Sequence, residues 1–143
     1  RYVQDIVDRT NALAPDIIAL CGDLVDGSVD ALGDAVRPLS GLRARLGTFA
    51  VTGNHEFFAG ALPWVTFLRR IGIEVLENSR RTLGVGDTAF DVAGVPDSMT
   101  GRFGAERAPN LRAALDLAVL PPSSPRRPSR GRCLPARRLA PLR

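Results

Sequence analysis

The chain has 143 residues, 45% of them hydrophobic and 24% charged, which is enough for one modest globular domain with its own core. No run of about 18 apolar residues occurs in it, which excludes a membrane-spanning helix within this sequence. The formal charge of +4 hides an asymmetry: residues 1–117 carry 12 arginines against all 15 acids, a balance of −3, whereas residues 118–143 carry 7 arginines and no acid, a balance of +7.

Lysine is absent, and an arginine-only chain points to GC-rich coding rather than to a function. Cys21 and Cys133 offer no disulfide framework and read as free thiols. The sequence opens on Arg1 rather than Met and shows no signal peptide, so any targeting segment is expected upstream. Localisation stays open between the cytoplasm and a membrane tether.

In chain order, residues 1–14 predict a helix, with Tyr2, Val3, Ile6, Val7 and Leu13 at helical spacing and Pro15 at its end. Residues 16–21 form a continuously apolar run, the pattern of a strand covered on both faces. Gly22-Asp23-Leu24-Val25-Asp26-Gly27 follows as a loop. Residues 30–46 carry helical spacing through Leu32, Val36, Leu39 and Leu42, broken by Pro38 and Gly41. A second strand, Thr48 to Val51, runs into Gly53, and Asn54, His55 and Glu56 follow on an expected loop.

Residues 61–71 predict a helix with Leu62, Trp64, Val65, Leu68 and Ile71 apolar, Pro63 in its first turn and Gly72 at its end. A short strand at 73–76 precedes two strands, 80–85 and 89–95, joined through Gly86-Asp87. Asn110 is placed to cap a short helix through Leu117. The order α-β-α-β-α-β-β-β-α predicts an α/β fold, a sheet with helical crossovers. Beyond Ala118, prolines among Arg and Ser break any hydrophobic period, and a disordered tail over 118–143 is expected.

Both strand-end loops place polar groups where ligands gather in open α/β sheets. The Asp23 carboxylate offers two oxygens to cations, or it closes a turn while Asp26 caps the next helix. The Asn54 amide oxygen suits a metal or a substrate, or it is simply a turn residue. His55, the only histidine, fits metal ligation, acid–base work or an exposed loop position. Glu56 either orients His55 or begins the next segment as a solvated charge.

Taken together, G-D-L-V-D-G after one apolar strand and G-N-H-E after the next resemble the calcineurin-like metallophosphoesterase family, in which successive strands supply G-D-x-x-D and G-N-H-[D/E] to a two-metal site. The resemblance covers residues 1–117. It extends to Pro15-Asp16, Phe57-Phe58 and Trp64, and points to the bacterial branch whose members often carry upstream membrane segments. It implies a layered α/β/β/α sandwich, here incomplete, and metal-dependent hydrolysis of phosphate mono- or diesters by a hydroxide bridging two ions (Mn, Fe or Zn). By the same resemblance Asp23 would bridge both metals and Asn54 would bind the second. His55 would face the phosphate without touching metal, and Asp26 and Glu56 would support the loops.

The family's D-x-H, a later lone histidine and the closing G-H-x-H are absent from this sequence. The expectation is therefore a central fragment with at most weak metal binding, its activity impaired and its end replaced by a tail of the kind an out-of-frame reading yields. The expected partner is a phosphate-ester substrate, with membrane association through an upstream segment. Competing readings are a non-catalytic remnant of the fold and an anion- or nucleic-acid-binding protein gripping phosphates through the +7 tail. No specific nucleic acid is expected, because the tail lacks aromatic residues to stack on bases.

Overall fold

The computed structural model describes residues 1–115. The expected tail, Cys133 and the last part of the helix predicted through Leu117 lie outside the described residues.

Three strands, β1 (Ile17–Leu20), β2 (Gly47–Ala50) and β3 (Glu74–Val75), form a parallel sheet in the order β1-β2-β3. Ile17 lies opposite Gly47 and Leu20 opposite Ala50, so β1 and β2 end level with one another. Parallel neighbours need crossovers, and these are helical. Here α2 (Val29–Val36), with a 3-10 turn at Arg37–Gly41, links β1 to β2; α3 (Asn54–Ala59) and α4 (Ala61–Arg70) link β2 to β3. An antiparallel pair, β4 (Ser79–Leu83) and β5 (Phe90–Gly94), forms a second sheet.

Alternation along the strands distributes side chains to two cores. Ala50 and Val75 join Val7, Val36, Leu39, Trp64, Val65 and Leu68 on the helical side, where α1 (Tyr2–Ala12), α2 and α4 pack. Phe49 and Leu76 point the other way and meet Leu83 and Val92 of the second sheet. A short helix, α5 (Leu111–Leu115), packs on the outside of that pair and buries Ala114. The result is helix, sheet, sheet, helix: the layered α/β arrangement expected from the sequence.

Several local expectations need correction. The break expected at Pro38 takes the form of the 3-10 turn Arg37–Gly41, after which Leu42 is extended, so the helical stretch stops short of residue 46. Leu62 is 71% exposed, because α4 turns Trp64, Val65 and Leu68 inward and buries Phe67 in addition. Tyr2, Ile6 and Leu13 of α1 are exposed while Val7 is buried, so the helix seats only one edge of its apolar face. β1 is covered on both faces only in part: Leu20 packs against the helical core and Ile17 against the second sheet, but Ala19 is exposed, and among the described residues β1 pairs with β2 alone.

Candidate functional site

Because β1 and β2 are parallel and end in register, the segments leaving them emerge side by side at one edge of the sheet. Residues 22–27 follow β1, and Thr52 to Glu56 follow β2. Their backbones touch. Gly22 adopts φ +82°, and a Cβ there would lie 2.4 Å from Gly53 N; a Cβ on Gly53 would lie 2.1 Å from Asp23 Oδ1. Only glycine permits that approach on both sides.

Asn54, His55 and Glu56 are not on a loop, as the sequence suggested, but form the first turn of α3. The reason is Glu56. Its Oε2 accepts the Gly53 N–H (2.7 Å), satisfying an amide that the helix start leaves without a partner. The same carboxylate also reaches across to the other loop, accepting Asp23 N–H (2.9 Å) at Oε2 and Leu24 N–H (2.6 Å) at Oε1. Glu56 is 1% exposed, and three backbone donors compensate its buried charge. It is neither a solvated charge nor a group that orients the His55 ring.

This clamp holds Asp23 at φ 54°, the left-handed region that aspartate tolerates better than most residues. Asp23 Oδ1 accepts the His55 N–H (3.1 Å). The His55 ring is oriented by Asp26, whose Oδ1 meets Nδ1. That hydrogen bond and the Asp26 charge raise the His55 pKa above its usual 6.5, with Asp23 and Glu56 adding smaller pulls against a small desolvation effect. Asp26 therefore serves the histidine, not the next helix, which Ser28 caps by accepting Ala31 N–H (3.4 Å).

Two supports went unread in the sequence. Trp64 Nε1–H donates to Gly27 O (2.8 Å), tying α4 to the first loop. Buried Thr52 gives its carbonyl to Asp97 N–H (3.0 Å) and its hydroxyl to Glu77 (3.3 Å). Asp97 had a legible signal, since β5 ends at Gly94 and Val95-Pro96-Asp97 follow it, again a strand closed by glycine with a carboxylate soon after.

The family model for calcineurin-like phosphoesterases matches residues 1–104. The chain belongs to the calcineurin-like phosphoesterase family. It is similar to a protein of Caenorhabditis elegans named as a metallophosphoesterase, 43% identical over 96 residues, which are 66% of this chain and 20% of the relative. A transmembrane protein with metallophosphoesterase domain from Danio rerio is 40% identical over 78 residues, 54% of this chain and 18% of that protein. An uncharacterised metallophosphoesterase of Helicobacter pylori is 31% identical over 118 residues, 82% of this chain and 30% of its own length. The chain thus spans between 18% and 30% of the length of these relatives. No solved structure gives a significant match.

Metallophosphoesterases as a family use divalent metal ions. Among the described residues, no group of three or more His, Cys, Asp and Glu side chains is arranged to hold one. Asp23 and Asn54 both lie at the sheet edge, but a closed site needs about four or more donors. The residues present do not fit a complete metal centre.

Proposed function

We propose that residues 1–117 form the phosphoesterase unit of this protein and that the edge bearing Asp23, Asn54 and His55 is its phosphate-ester site. The observation that carries this reading is the His55–Asp26 pair: a histidine with a raised pKa, held beside two loops that converge through Glu56. Asp23 and Asn54 are the donors this chain would bring to a divalent-metal centre. Asp26 orients His55, and Glu56 fixes the loop that presents Asp23.

Hydrolysis of a phosphate ester adds the oxygen of water to phosphorus and breaks the P–O bond to the leaving group. The leaving oxygen takes a proton from the His55 imidazolium, whose Nδ1 is engaged by Asp26 and whose Nε2 is the remaining donor. The attacking water loses the proton that restores the imidazolium. Protonation is the part of this reaction that the chain's own side chains supply. With two metal donors, the 143-residue chain should bind Mn²⁺ weakly and turn over slowly.

The test is calorimetric Mn²⁺ titration with an assay on an aryl phosphodiester, using Asp23→Asn as control. Weak binding that the substitution abolishes, with turnover near background, is the expected result. Mn²⁺ binding indifferent to Asp23 would overturn the site. Robust turnover abolished by Asp23→Asn would instead overturn the donor count. The names of the transmembrane relatives support a membrane location for the whole protein, although among the described residues no helix is long and apolar enough to cross a bilayer.

A further inference from the structure

We propose that Phe58, backed edge to face by Phe103, forms a shelf for an aromatic leaving group, making aryl-type phosphate esters the substrate class of this site; the proposal rests on the phosphoester reading above. Phe58 follows His55 by three residues on α3, a spacing that brings side chains to the same side of a helix. The two residues line one cleft of about 490 Å³ together with Asp26, Gly27, Ser28 and Ala59. That volume lies within the range of small-molecule sites.

Phe58 is 70% exposed beside a charged pair, which leaves its ring open to a ligand. Its position is nonetheless fixed. Phe103 meets it edge to face, with centroids 5.4 Å apart at 79°, and lies 5.5 Å from Phe57. An open ring held in this way favours a flat ring, because the negative face of one aromatic group attracts the positive edge of another. Stiff side chains also lose little entropy when they are covered. A ring bonded to the leaving oxygen would cover Phe58 while that oxygen faces His55, so the shelf and the proton donor address adjoining atoms of one substrate.

The unique histidine provides the readout, because its ring protons give unambiguous NMR signals. The full chain is titrated with phenylphosphonate, cyclohexylphosphonate and methylphosphonate, none of which hydrolyses. All three should shift the His55 signals, and phenylphosphonate should bind about fivefold more tightly than methylphosphonate, the gain one ring–ring contact supplies. Phe58→Ala should reduce the preference to less than about twofold, and Phe58→Trp should keep it. Equal affinities with intact His55 shifts would overturn the shelf and leave the phosphoester reading standing. Cyclohexylphosphonate binding as tightly as phenylphosphonate would overturn the aromatic class. Shifts from none of the three would overturn the phosphoester reading and the shelf with it.

Discussion

Two carboxylates act at this sheet edge, one on the segment after each strand, and they could hardly differ more in setting. Glu56 is sealed from water and holds backbone amides of two loops. Asp26 has an 81% exposed side chain and holds one imidazole, itself 45% exposed. A buried carboxylate with several amide donors is an architectural device, because removing it strands polar groups in a dry interior. An exposed one contributes little to folding but sets the charge of its partner at a given pH. The edge thus separates the residue that holds the scaffold from the exposed carboxylate that orients the histidine.

The most severe break of this contrast is Glu56→Ala. Three backbone N–H groups, that of Gly53 buried and those of Asp23 and Leu24 part-buried, would lose their acceptor, and urea denaturation should show a loss of about 3–5 kcal/mol. Glu56→Gln keeps one acceptor oxygen and should cost less, about 2 kcal/mol. If either were neutral, the clamp would not be holding the loops.

Next in size is Gly22→Ala. The added methyl would meet Gly53 N at 2.4 Å from a backbone at φ +82°, and the same melts should record a loss of about 2–3 kcal/mol. A substitution tolerated within error would mean that the two loops separate freely.

The smallest effect on folding is expected at Asp26→Asn, with an unfolding midpoint close to that of the parent. Its effect should appear in the titration of His55 by NMR, where the pKa falls back toward 6.5. The sign follows from the raised value: the Asp26–His55 attraction is fully present below the ordinary histidine pKa and is lost as pH rises through the raised one. Activity that depends on the imidazolium should therefore decline on the alkaline side, and Asp26→Asn should move that decline to lower pH. A His55 pKa unchanged by the substitution would break the pairing.

Much of this was legible because parallel strands advertise themselves. The apolar runs ending in Gly22-Asp23 and Gly53-Asn54 located both loops, and the parallel register brings them together. Glu56 was harder to read, since a lone glutamate is usually solvated and its partners at Asp23 and Leu24 lie 33 and 32 residues away. The helical start of Asn54-His55-Glu56 depended on that same hidden acceptor. Helical spacing marked an apolar stripe on α1 but not how much of it another layer would cover. Tyr2 and Leu13, both 79% exposed, show the difference. Asp97 repeated a visible grammar, but the Thr52 carbonyl it binds is a backbone group, to which side-chain patterns are blind.

Among the described residues the outer margin of β1 is unpaired, which has a practical consequence for handling the protein. Ile17 to Leu20 contains no charge and no proline, the usual guards of a strand left open, and Ala19 adds no bulk to obstruct an approach. A row of amides and carbonyls on such a margin is adhesive toward any extended peptide, including another molecule of the same chain. Preparations should therefore grow stickier with concentration, sedimenting faster at high loading than at low. Added salt should not disperse them, because screening weakens charge pairs and leaves backbone hydrogen bonds intact.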